Sequence, residues 1–289
     1  MKIKPLLIIA LIFILPIVSA CGQSVSRNDD KILVAVSIVP QSTFVKEVAG
    51  DLVDVVTMIP PGSSAETYSP SPRQLQAFSD ASIYFSIGVP TEAANILPKA
   101  ADFNANLKVV YLAEHVAEAY PDIEVTPGER DPHIWLSPKR AKFIVNEIAS
   151  ELAMLDPSNE TTYNENAEKY KKKLDKVDAR IRESLSDIKT KTFIAYHPAF
   201  GYFADDYGLE MISLEEDGKD ATPKTFQKVI DIAKERDIKV IFYQEEVDSR
   251  QSEAFAKEIG GSTEKIAPLA PNYIENLEAM ADTFSKVLK

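Results

Sequence analysis

The chain has 289 residues, a formal net charge of −12, three histidines, one tryptophan and one cysteine. An acidic chain without basic stripes is poorly suited to phosphate recognition, which argues against nucleic-acid binding and against adhesion to anionic lipid by charge. One cysteine excludes an internal disulfide and a multi-cysteine zinc site, and the length accommodates two domains.

Lys2 and Lys4 precede an almost wholly apolar run from Leu6 to Val18, interrupted by Pro16. The run is shorter than the roughly 20 residues needed to span a bilayer and it ends at small residues, so residues 1–20 read as a secretory signal. Val18-Ser19-Ala20-Cys21 resembles the lipobox of exported lipoproteins, where cleavage before the cysteine exposes a thiol that receives lipid. Residues 21–30 are polar and aperiodic, as expected of a tether. The expectation is an exported protein held by lipid on Cys21 at the outer face of the cytoplasmic membrane, on the cell surface or in the periplasm.

The near-continuous apolar run from Lys31 to Pro40 predicts a buried parallel strand, followed by a helix over Ser42–Ala49. Further strands are predicted at Val53–Ile59, Ser82–Gly88 and Lys108–Leu112, with a helix from Pro72 through Phe78. Tyr163, Ala167, Tyr170, Leu174, Val177, Ile181, Leu185 and Ile188 then recur at steps of three or four, predicting one amphipathic helix over Thr161–Ile188, roughly 42 Å long. The alternation resumes with strands at Thr192–His197, Glu210–Leu214, Val240–Tyr243 and Lys265–Ile266. Helices are expected at Thr225–Arg236, around Ala254–Ile259 and from Asn272 to Leu288. The pattern is α/β: two βα lobes with central parallel sheets, residues 31–158 and 190–289, joined by one long rigid backbone helix at 159–189.

Asp131-Pro132-His133-Ile134-Trp135-Leu136-Ser137-Pro138 holds one histidine and the only tryptophan between two prolines, which predicts a constrained loop. His197 falls at the end of its predicted strand, where open α/β sheets bind ligands. The two histidines belong to opposite lobes, so an interdomain cleft brings together two neutral imidazoles, preferred ligands of zinc and similar ions. His115, in Ala113-Glu114-His115-Val116-Ala117, reads as an exposed loop or helix turn outside the site.

Pro60-Pro61-Gly62-Ser63-Ser64-Ala65-Glu66-Thr67-Tyr68-Ser69-Pro70, the Asp131–Pro138 segment and Tyr196-His197-Pro198-Ala199-Phe200-Gly201-Tyr202 together resemble the three signature segments of the zinc and manganese solute-binding lipoproteins of ABC transporters, the ZnuA/TroA-like family. The resemblance covers essentially the whole mature chain. It implies one divalent ion between the lobes, Zn²⁺ first and Mn²⁺ second, carried as transported ligand to a permease and its ATPase by a monomer that is not an enzyme. The implied ligands are Glu66, His133 and His197. Glu66 stands where the family usually has histidine. Many relatives also carry an acidic ligand in an Asp-Pro-Leu segment, where this chain has Ala267-Pro268-Leu269. Gln244 is the expected fourth ligand, with a water as the alternative, while Glu245 and Glu246 read as a solvated face. Trp135 then reads as packing that stiffens the loop and shields the ion. Glu124, Glu129 and Asp131 read as weak encounter sites for cations. A receptor for a chelated metal or an adhesin on the same scaffold, and a metallohydrolase, are the other classes. The first would need arginines and a wider cleft; the hydrolase motifs His-Glu-x-x-His and Gly-x-Ser-x-Gly are missing from the sequence.

Overall fold

In the N-terminal lobe β1 (Ile32–Val36), α1 (Val39–Ala49), β2 (Val53–Thr57), α2 (Pro72–Ser79) and β3 (Ile83–Ser86) are followed by a π-turn over Glu92–Ile96 and by α3 (Leu97–Phe103). Next come β4 (Lys108–Tyr111), α4 (Leu112–Ala117), a small hairpin of β5 (Glu124–Thr126) and β6 (Glu129–Arg130), and α5 (Pro138–Leu155). The long helix α6 (Glu160–Ser184) leads into β7 (Thr192–Ala195), α7 (Gly201–Tyr207), β8 (Glu210–Ser213), α8 (Pro223–Glu235), β9 (Val240–Gln244), α9 (Arg250–Glu258), β10 (Ser262–Ile266) and α10 (Tyr273–Leu288). This computed structural model describes residues 31–215, 219–246 and 250–289. The expected signal, Cys21 and the tether lie outside the described residues. Among the described residues no helix is long and apolar enough to cross a membrane.

The two four-stranded sheets run β2-β1-β3-β4 and β8-β7-β9-β10, so both lobes repeat one strand order, and every pairing in them is parallel. Strands buried on both faces need apolar side chains throughout, which is why β3 and β7 are buried along their full length. In this order the connections diverge between β1 and β3 and between β7 and β9. Each divergence opens a crevice at the carboxyl ends of the strands, the usual place for a ligand.

Helix α6 buries Tyr163, Ala167, Tyr170, Leu174, Val177 and Ile181 along one stripe and packs on α1 and α5 of one lobe and α10 of the other. It ends at Ser184 rather than at the expected Ile188. Lys189 N and Thr190 N instead donate to Leu288 O, 3.0 and 3.1 Å away, so the chain is drawn off the helix axis toward the end of α10. Beneath the second sheet Phe284 of α10 gathers Phe193, Phe203 and Phe242 at ring separations of 4.8, 5.3 and 4.5 Å. The apolar core continues from this cluster through α6 into the first lobe, and Lys31–Lys289 form one compact unit.

Helix α5 is not among the elements expected from the sequence, where the paired prolines pointed to a loop. Ser137 caps it, accepting from Arg140 N, and Pro138 occupies the first helical turn, where its missing N–H costs nothing. The second proline therefore starts a helix instead of closing a loop. The lobes meet just there: buried Asp206 of α7 accepts from Ser137 Oγ at 2.5 Å and from Arg140 Nη1 at 3.0 Å, and pairs with Lys139. Removing one partner of such a buried pair typically costs about 3–5 kcal/mol, because the other charge is left unpaired.

Candidate metal centre

His133 is presented by the short stretch between β6 and α5. Asp131 N donates to Ile123 O at 2.7 Å, and a single oxygen of Asp131, Oδ1, accepts from both His133 N at 2.9 Å and His133 Nδ1 at 2.7 Å. A carboxylate on Nδ1 puts the ring proton there and leaves the Nε2 lone pair for an electrophile. Asp131 is buried at 1% exposure, so it acts behind the histidine and is not an encounter site at the surface. Gly201 of the opposite lobe makes this approach feasible, since a Cβ there would collide with Asp131 Oδ2. Trp135 is fully buried, its ring 5.1 Å from that of His133. Its Nε1 donates to Pro268 O at 3.0 Å and its carbonyl accepts from Tyr273 OH, which ties the loop to the C-terminal lobe.

His197 follows β7, at the crevice beside β9. Its Nδ1 is bonded to Glu215 Oε2 at 2.7 Å, and Glu215 is fixed in turn through its own N–H to Tyr196 O. Burial disfavours the imidazolium of His197, but the hydrogen bond and charge of Glu215, with Glu66 and Asp131 adding, outweigh it and raise the pKa above the usual histidine value. His197 Nε2 lies 3.2 Å from His133 Nε2 and 3.6 Å from Glu66 Oε1. Two nitrogens bound to one tetrahedral zinc at the usual bond length sit about 3.3 Å apart. The imidazoles thus already have the spacing of a shared ion. The three donor atoms all lie within 4.8 Å of one another.

Glu66 comes from the loop after β2. Its N–H donates to Ser64 Oγ at 3.1 Å, and its side chain keeps 20% exposure, so it forms the open edge of the group. The remaining wall consists of Ser64, Ala65, Trp135, Gln244, Glu246, Pro268 and Leu269 around a cavity of about 20 Å³. That space holds one water-sized occupant. Gln244 is buried with Nε2 unpartnered, and Glu246 Oε2 is likewise buried without a partner. Glu246 therefore departs from the solvated face expected of it, and burial pushes its carboxyl pKa up. Glu245 does conform, being exposed and paired with Lys265 at 3.1 Å.

The other candidates are placed elsewhere. His115 lies on α4, exposed, 3.5 Å from Glu147. Glu124 and Glu129 bond to Gly128 N and Thr126 Oγ1 within their own hairpin. Ala267 contributes only its carbonyl, which accepts from Asn276 Nδ2. Sequence reasoning missed Glu215 altogether, because only the parallel pairing of β7 with β8 brings it beside His197. For Asp131 a signal did exist, an acid two residues before a histidine across a proline.

Residues 34–287 match the ZnuA family, described as the zinc-uptake complex component A, periplasmic. The chain belongs to this family. It is 30% identical to the high-affinity zinc uptake system protein ZnuA of Bacillus subtilis (strain 168), over 93% of this chain and 89% of that protein. It is 29% identical to the zinc-binding lipoprotein AdcA of Streptococcus pneumoniae (strain ATCC BAA-255 / R6) over 91% of this chain, but spans only 58% of that longer protein. A crystal structure of ZnuA superposes with a TM-score of 0.84 at 35% identity, covering 90% of this chain and all of the other. The ZnuA-family assignment agrees with the expectation drawn from the three signature segments, and the two-lobed α/β architecture with its long helix is that of the family.

Proposed function

We propose that this chain is the extracytoplasmic solute-binding component of a metal-uptake ABC transporter, capturing one free divalent ion, zinc before manganese, and handing it to a permease driven by an ATPase. The observation that carries this reading is the pair of imidazole nitrogens 3.2 Å apart, each ring backed by its own buried carboxylate, with Glu66 beside them. Neutral, pre-oriented imidazoles plus one carboxylate suit zinc, and the oxygen donor admits manganese. A cavity of about 20 Å³ has no room for a chelated metal or for a substrate beside the ion, so capture and release account for the site better than a chelate receptor or a hydrolase.

In this reading Glu66, His133 and His197 are the ligands. The fourth donor is Gln244 through its amide oxygen, with Glu246 as the competing donor favoured by its unpartnered Oε2. The lobes take residues 31–158 and 190–289, with 159–189 linking them. The protein works as a monomer tethered by lipid at Cys21; the lipobox and the lipoprotein description of AdcA support the tether.

Elemental analysis of the purified protein, with calorimetric titration of zinc and manganese, tests the reading. One ion per chain is expected, with binding abolished in the His133→Ala, His197→Ala double variant; unchanged binding there would overturn it. In the same titration, the larger loss between Gln244→Ala and Glu246→Gln identifies the fourth donor.

A further inference from the structure

The two lobes share a strand order, yet their equivalent crevices are filled differently. At the β7/β9 crevice stand His197 and Gln244, facing the metal cavity. At the β1/β3 crevice the chain inserts a side chain of its own, the fully buried carboxylate of Glu92. Four donors converge on it from the ends of the two strands. Ser37 Oγ and Ile87 N (2.8 Å) bond to Oε1, while Ser86 Oγ and Gly88 N (3.1 Å) bond to Oε2. Ser37 is held as well by Tyr84 OH at 2.8 Å, and its N–H by Gln41.

Glu92 begins the π-turn, closed by Leu97 N donating to Glu92 O. Such turns recur at functional sites, and this one reaches the loop of Glu66. Thr91 N, immediately before Glu92, donates to Ala65 O at 3.1 Å, and Asn95 Nδ2, within the turn, donates to Tyr68 O at 2.9 Å. The two grips fall on either side of Glu66, whose carboxylate is the least buried of the three donors. We propose that Glu92 is a positioning residue for metal capture: by locking the 91–96 turn into the β1/β3 crevice it holds the 65–68 backbone, and through it the Glu66 carboxylate, at the ion. This rests on the reading of Glu66 as a ligand. A carboxylate suits the position better than an amide, because a glutamine would turn its N–H₂ toward a backbone N–H, of Ile87 or of Gly88, that can only donate.

The test is a double-mutant cycle read by zinc competition titration and by the visible spectrum of the Co²⁺-loaded protein, which reports the ligand set directly. Glu92→Gln and, as a milder cut that leaves the buried network intact, Asn95→Ala are each made alone and together with Glu66→Ala, with folding checked by circular dichroism. Each single variant is expected to weaken zinc binding several-fold, up to but not beyond the about tenfold loss of Glu66→Ala, with Asn95→Ala the smaller of the two. Each should also shift the Co²⁺ bands toward those of Glu66→Ala, and both effects should vanish in the Glu66→Ala background. A folded Asn95→Ala protein with wild-type affinity and spectrum, or losses that simply add to that of Glu66→Ala, would overturn the proposal. A wild-type chain that binds neither ion removes the metal reading itself, and this inference with it.

Discussion

The crevices at β7/β9 and at β1/β3 are the same topological feature built twice, and the molecule spends them differently. The C-terminal crevice leaves His197 Nε2 facing a cavity and supports the ring from behind with Glu215. The N-terminal crevice is closed by Glu92, and the two candidate donors of that lobe stand elsewhere, Glu66 on the loop after β2 and His133 on the stretch before α5. The two buried imidazoles, each with a carboxylate behind its ring, form a wall; Glu66, on the loop gripped by the 91–96 turn, forms an arm at the open edge. One strand order used twice thus yields one crevice that faces the cavity and one that the chain fills itself.

If the wall carries most of the affinity, weakening its supports should cost most. Asp131→Asn and Glu215→Gln leave both imidazoles in place but remove the charge that fixes their tautomer, and each should lower zinc affinity by about 10–100-fold in competition titration. A loss below twofold for both would erase the distinction between wall and arm. Glu66→Ala should cost less, about tenfold for zinc, and more for manganese, which favours oxygen donors over nitrogen. Parallel titrations with the two ions decide it: no loss with either would place Glu66 outside the ligand set, and equal losses would remove its bias toward manganese.

The smallest effect concerns protons. The folded-state pKa of His197 lies above its unfolded value, so in the metal-free protein the extra proton stabilises the fold fully below about pH 6.5, and that contribution is lost as pH rises through the raised value. Zinc must displace the same proton. Its affinity should therefore begin to fall above pH 6.5 on acidification, at up to about tenfold per pH unit for one proton. Glu215→Gln should move the inflection to lower pH. NMR titration of the ring and affinity measured against pH check both statements, and an inflection that stays put in the variant would show that Glu215 does not set the proton affinity of His197.

Much of this was legible in the chain itself. Apolar runs marked the strands of the two sheets, most fully β3 and β7, which are buried along their length; of the edge strand β10, with Ser262, Thr263, Glu264 and Lys265, only the last two residues were expected. The stripe from Tyr163 to Ile181 located the long helix, because only one face of it meets the lobes. His133 and His197 stood out by rarity and by position at a stiff loop and a strand end, and the signature segments added Glu66. Helix α5 is hard to see in the sequence because Ser137-Pro138 has the look of a loop's end, whereas in the fold it is a cap and a first turn.

Residue types and their periods along the chain determined two βα lobes, a connecting helix and a histidine pair to be shared between them, since burial and strand or helix periodicity are local properties. Tertiary structure alone decided what stands behind those histidines and beside them. Glu215 reaches His197 only across a strand pairing, Asp131 is buried only because Gly201 of the other lobe comes so close, and Glu92 finds its four donors only where β1 and β3 end together. Three of those donors are near Glu92 in sequence, but Ser37 is 55 residues away and Glu215 stands 18 residues from His197, and no period along the chain encodes such pairings.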